Sequence, residues 1–134
     1  MIRFMLDTNI CIYIIKKKPE KVIHRLRKTP IADIGISTIT LSELEYGVLK
    51  SALPERNKIA LAEFLAPLAI MAYDDYAAQH YGRIRASLEK HGTPIGSLDM
   101  LIAAHALSLR CTLVTNNEAE FARLPELKIA NWTT

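Results

Sequence analysis

The chain has 134 residues, half of them hydrophobic and 23% charged, with a net charge of +3 at pH 7; this fits one domain over residues 1–134 and excludes a disordered or fibrous chain. So mild a positive charge permits an anionic partner without demanding one. Cys11 and Cys111 lie in apolar segments with no CxxC or zinc spacing and are expected as reduced core residues of a cytoplasmic protein; Leu6 runs straight into Asp7, unlike a signal peptide, and no stretch approaches the roughly 20 apolar residues of a membrane span.

In chain order, the apolar run Ile2, Phe4, Met5 and Leu6 ends abruptly in Asp7-Thr8-Asn9 and reads as a buried strand followed by helix-capping residues. Asn9 to Ile15 is expected as a short helix stopped by Lys16-Lys17-Lys18-Pro19. Pro19 to Lys28 reads as a second helix, with Pro19 in its first turn, where a missing N–H costs nothing. Ala32 to Ser37 reads as a second strand. Thr40-Leu41-Ser42-Glu43 has the spacing of a capping box and opens a helix to about Ser51. Pro54 begins another, to about Ala66, and Leu68 to Tyr73 is a third strand. Asp74 or Asp75 caps a long helix stopped by Gly92. Ser97 is the expected N-cap of a helix over Leu98 to Arg110 that is apolar on nearly every side, hence central. Thr112 to Thr115 is the fourth strand, with Asn116-Asn117 at its end. A short helix through Phe121 and a strand near Lys128 to Ala130 close the chain. This alternation predicts an α/β fold, a mostly parallel central sheet of four to five strands flanked by helices.

Three carboxylates fall at the ends of these elements. Asp7 follows the first strand, where chemistry collects in an open parallel sheet, although it also suits a helix N-cap. Asp99 shares an apolar stripe with Ile102, Ala103 and Ala106, a costly place for an unpartnered carboxylate, while the helix dipole alone gives it a structural role. Glu43 is explained equally well by the Thr40 capping box. At ~4 Å and an effective dielectric near 20, each like-charged pair would repel by about 4 kcal/mol. Such a cluster survives by raising its pKa values or by binding a cation. Oxygen ligands without His or Cys select magnesium or manganese, which can orient water and stabilise a phosphodiester transition state.

Met5-Leu6-Asp7-Thr8-Asn9, Ser42 to Gly47, Pro94 to Ala106 and Val114 to Phe121 together resemble the PIN-domain ribonucleases, and more narrowly the VapC toxins of bacterial toxin–antitoxin pairs. The resemblance spans essentially the whole chain, with the four motifs in family order. It implies a PIN-like domain and a magnesium- or manganese-dependent endoribonuclease that cuts structured RNA. Transfer RNA is the leading substrate, initiator tRNA included, and a VapB-type antitoxin is the partner that silences the enzyme. By position, Asp7, Glu43 and Asp99 match the acidic metal-binding triad. Thr115 matches the small hydroxyl residue after the last core strand, and Thr8 is a further supporting candidate. Asn117 stands where many members carry a fourth acid, a departure that leaves one metal as the expectation for the free protein. Glu120, one helical turn on, is placed to lean in instead, although a solvated surface role is the stronger expectation for it.

Other features carry less. Lys16, Lys17, Lys18, Lys21, Arg25, Arg27 and Lys28 make the N-terminal region the most basic, fit either to attract RNA phosphates or to serve as a solvated face. Arg83 and Arg85 are candidates for substrate-phosphate or antitoxin contacts, with a surface helix as the default. His105, inside an apolar helix, is expected in the core or an interface rather than as a ligand, and Tyr46, Tyr76 and Tyr81, which have the chemistry to stack bases, are at helical positions where aromatics are expected to pack. Apolar residues in the N-terminal helices and in Tyr46 to Leu65 suit a homodimer face or an antitoxin groove. A haloacid-type phosphatase would want an acid at Asn9, and a receiver domain a Lys where Asn116-Asn117 stand. The alternative from another class is a catalytically inactive PIN-like RNA-binding or interaction module.

Overall fold

The apolar segments form five short strands, β1 (Phe4–Leu6), β2 (Ile34–Ser37), β3 (Ala69–Met71), β4 (Thr112–Val114) and β5 (Ile129–Ala130), in a computed structural model describing residues 1–134. Every neighbouring pair is parallel, in the order β3-β2-β1-β4-β5. Phe4 lies opposite Ile34 on one side and Thr112 on the other. β1 is therefore central, and the chain leaves it with β2 to one side and β4 to the other. In open α/β sheets that reversal of strand order leaves a crevice beyond the carboxyl ends, and the residue emerging into it is Asp7.

Seven helices surround the sheet: α1 (Thr8–Lys16), α2 (Glu20–Lys28), α3 (Thr38–Lys50), α4 (Pro54–Leu65), α5 (Asp75–Lys90), α6 (Ser97–Leu109) and α7 (Glu118–Phe121). Side chains alternate faces along a strand, so Met5 and Leu6 enter different cores. Met5 packs with Ile84 and Leu88 of α5 and with Met100 and Ile102 of α6. Leu6 packs with Ile10 and Ile14 of α1, Val22 of α2, Leu44 of α3 and Leu61 of α4. Cys11 and Cys111 are buried and free. No helix is long and apolar enough to cross a membrane.

Four local expectations are corrected. Ala32 is not in a strand: Ile31–Asp33 makes one turn of 3-10 helix after Pro30, and β2 begins at Ile34. Pro19 flanks α2 as its N-cap, in extended geometry, rather than lying in its first turn. Thr40 does not cap α3. Ser37 does, its hydroxyl accepting from the Ile39 N–H at 3.0 Å, so the helix has already begun when the chain reaches Thr40. Ser97 is the first residue of α6 rather than its cap, and Gly96 takes the flanking position.

β2 is confined on both sides, and Gly35 is the residue that permits it. A Cβ there would lie 2.9 Å from the Ala69 carbonyl oxygen and 2.9 Å from Met71 Cε. The methionine tip can move, but the carbonyl belongs to the neighbouring strand. Gly35→Ala is expected to destabilise the protein by about 1–3 kcal/mol, as overpacked cores do, read as a lower urea midpoint. A midpoint equal to that of the unmodified chain would show that β3 yields freely.

Candidate active site

Asp7 ends β1 and caps α1. Its Oδ1 accepts from the Ile10 N–H at 3.0 Å, and its own N–H donates to the Val114 carbonyl at 3.0 Å. Only 5% of it is exposed. Burial pushes its carboxyl above the ordinary range and the Glu43 charge adds to that, while the Thr115 hydroxyl and the Ile10 N–H pull the other way. Thr115 is fully buried. Its oxygen accepts from the Asn117 N–H at 3.0 Å, which leaves the hydroxyl proton free for Asp7. One carboxylate thus caps a helix and faces the crevice.

Glu43 lies well inside α3, and with the cap at Ser37 the capping-box explanation for it falls away. Instead it accepts a hydrogen bond from the Thr8 hydroxyl, which ties α3 to the start of α1. Thr40, on the turn before it, is buried with its hydroxyl unpartnered.

Asp99 is the third residue of α6. Burial first, then the charge of Glu120 and a hydrogen bond with it, then Asp7 and Glu43, push its carboxyl up to about 7. Glu120 goes the other way. Its Oε1 accepts from the Gly96 N–H and its Oε2 from Asn117 Nδ2, both at 2.8 Å. Led by the Gly96 bond, these contacts hold its carboxyl below the usual range. A Cβ on Gly96 would stand 3.5 Å from Asp99 Oδ2 and 3.6 Å from Glu120 Oε1, so the two carboxylates flank that glycine.

The structure therefore brings Asp7, Glu43 and Glu120 each within electrostatic reach of Asp99, with Thr8, Thr115 and Asn117 as hydrogen-bond partners of Glu43, Asp7 and Glu120. Asn117 turns its amide nitrogen to Glu120. Sequence reasoning did not find the Gly96 N–H; the signal available was an acid three residues after Asn117 that could reach back across the crevice. As the side chains lie, no three acid, His or Cys groups gather around one point, because Glu43 is turned to Thr8 and Glu120 to Gly96 and Asn117. The donor chemistry nevertheless fits a hard divalent cation. All four candidates are carboxylates, and each lies on a different element, so rotation about a side chain is enough to change their spacing.

Around this cluster, His105 is buried, with Nδ1 2.8 Å from Ser37 Oγ. Burial lowers its pKa. Tyr46 and Tyr76 do not pack: both are 64% exposed. Tyr81 is half-buried and its hydroxyl accepts from Arg85, which also pairs with Glu89. Between α1, α3 and α4 runs a groove lined by Ile12, Ile15, Leu44, Val48 and Leu61, with Glu43 and Lys16 also on its walls. Tyr46, Leu49, Leu53 and Ile59 are exposed on α3, α4 and the turn between them.

A parallel sheet whose central strand delivers an acid beside further acids defines the class of α/β proteins with an acidic site at the carboxyl end of the sheet. The PIN domain model matches residues 4–127. The chain is similar to the tRNA(fMet)-specific endonuclease VapC of Salmonella typhimurium, with 47% identity over 132 residues that cover 98% of this chain and 99% of that one. It is also similar to the protein of the same name from Shigella flexneri, 44% identical over 99% of this chain and all of the relative. Among solved structures, DNA-bound VapBC from Salmonella typhimurium superposes with a TM-score of 0.93 at 47% identity, covering 98% of this chain and 99% of that one. The chain belongs to the PIN-domain family and, within it, to the VapC ribonucleases.

Proposed function

We propose that the protein is a metal-dependent endoribonuclease toxin acting on structured RNA, transfer RNA foremost and initiator tRNA among the candidates, and that residues 1–134 are one PIN domain. The observation that carries this reading is that Asp99 and Glu120 flank Gly96 while the charges of Asp7 and Glu43 reach Asp99 as well. Asp7, Asp99 and Glu43 would hold magnesium or manganese, with Glu120 close enough to join them. A divalent ion held there supplies charge stabilisation at the phosphodiester and a more acidic water. The chain's own residues do the rest. Asp7 is fixed by the α1 backbone and Thr115. Asp99, held protonated up to about 7 in the free protein by burial and its acidic neighbours, would ionise on ligating the cation. Asn117 and the Gly96 N–H keep Glu120 ionised beside it.

A VapB-type antitoxin is the partner that the groove between α1, α3 and α4 suits, because it is apolar along its length and reaches Glu43. The exposed Tyr46, Leu49, Leu53 and Ile59 suit the same antitoxin or a second copy of the chain. The purified protein is expected to cut tRNA with magnesium or manganese, to stop on addition of a chelator, and to bind one manganese ion much more tightly than a second. Binding of RNA without cutting under all metal conditions would favour an inactive RNA-binding module. Two equally tight ions would overturn the one-metal site.

A further inference from the structure

We propose that the outer face of α2 binds the phosphate backbone of folded RNA, at a distance from the carboxylates; this rests on the ribonuclease reading above. Residues 16–28 carry Lys16, Lys17, Lys18, Lys21, Arg25, Arg27 and Lys28 against Glu20 alone, while the whole chain is only +3. Positive charge is thus concentrated in this segment, and acids outnumber bases elsewhere. One side of α2 is fixed to the protein by buried Val22 and half-buried Ile23 and Leu26. Lys21, Arg25 and Lys28, at i, i+4 and i+7, share a stripe on the opposite side, and all three are exposed.

None of these cations is engaged. The ion pairs of the protein are Arg3–Asp33 and Arg85–Glu89, both elsewhere. No large apolar residue is exposed on α2, so the face offers charge without the apolar anchors that protein interfaces use. A polyanion fits it. Counting from Thr8, beside Glu43, to Lys16, the α1 axis covers about 12 Å at 1.5 Å per residue, and α2 follows that far end of α1 in the chain. A short single strand seated at the carboxylates does not need this face. A folded RNA is wide enough to rest on it while one of its phosphodiesters enters the crevice.

The test is the triple neutralisation Lys21→Gln, Arg25→Gln and Lys28→Gln, none of which touches the carboxylate site. Binding of a tRNA is measured by fluorescence anisotropy in chelator over a range of salt, and cleavage is measured on a short single-stranded RNA that the unmodified protein cuts. The triple variant is expected to lose more than tenfold in tRNA affinity at low salt. Its log–log salt dependence should be shallower by about 2–3, one released counterion per phosphate contact. Its melting temperature and its cleavage of the short RNA should stay unchanged. Unaltered tRNA affinity and slope would overturn the proposal, as would equal loss of cleavage on the short RNA, or loss of antitoxin binding with tRNA binding intact. If the unmodified protein neither binds nor cuts RNA, the ribonuclease reading falls and takes this one with it, an outcome distinct from a triple variant that still binds.

Discussion

Asp7→Asn is expected to reduce RNA cleavage by at least about 100-fold, the upper end of what even outer-shell groups around a metal site cost, while leaving the melting temperature unchanged or slightly raised. The two effects separate because Asp7 has two jobs. As a cap it needs only an oxygen to accept from the Ile10 N–H, and Asn caps a helix as well as Asp. As a buried carboxylate pushed up by its surroundings, it carries a charge that the metal-free fold disfavours, and the amide removes that charge. Asp7→Ala should lose activity equally and also lose the cap, about 1 kcal/mol of stability. Cleavage rates and thermal melts on both variants decide the matter. Full activity in Asp7→Asn would remove Asp7 from the metal site, and a collapsed melting temperature would mean that the charge itself supports the fold.

The second large effect is on pH. Folded Asp99 keeps its proton up to about 7, against 3.8 for an ordinary aspartate. Between these values the folded state binds more protons than the unfolded one, so its contribution to stability falls as pH rises through 7. Asp7, raised in the same direction, adds to this slope. Glu120 is lowered, so its contribution disappears only as pH falls below the ordinary glutamate range. His105, lowered by burial, acts with the opposite sign near 6.5. The clean measurement is therefore a comparison, in chelator, of the unmodified chain with Asp99→Asn. The stability of the unmodified chain relative to the variant should decline from pH 5 to about 7 and level off above it, and a flat or rising difference over that range would show that Asp99 titrates normally. Because a proton must leave before Asp99 can ligate, metal affinity should fall roughly tenfold for each pH unit below 7.

The order of strands and helices was legible because apolar runs and their Gly, Pro and Asp boundaries are local signals. The shifted start of α3 has an identifiable cause. Ser37 and Thr40 both offer an oxygen at the start of α3, and sequence spacing favoured the one with a Glu three residues on. The fold chose Ser37, which ends a buried strand and also meets His105. The same choice freed Glu43 from capping and made its place at the crevice more informative. For Glu120 a surface role was one of two readings, since the Gly96 N–H and Asn117 amide that hold it lie on separate segments. Only the fold reveals that a glycine backbone and a distant glutamate share one corner. Tyr46 and Tyr76 were expected to pack because apolar mass argues for burial, but helical periodicity does not say which residues a small domain leaves outside.

β1 also sets the order in which the protein can come into being. One of its flanks is β2, reached early, but the other is β4, so Phe4 meets Thr112 only after more than a hundred intervening residues have been made. A chain still emerging from the ribosome holds Asp7 and Glu43 but lacks the wall that carries Thr115, Asn117 and Glu120. Domains with such distant pairings close late in synthesis. The acidic crevice is therefore complete only once synthesis of the chain is nearly over.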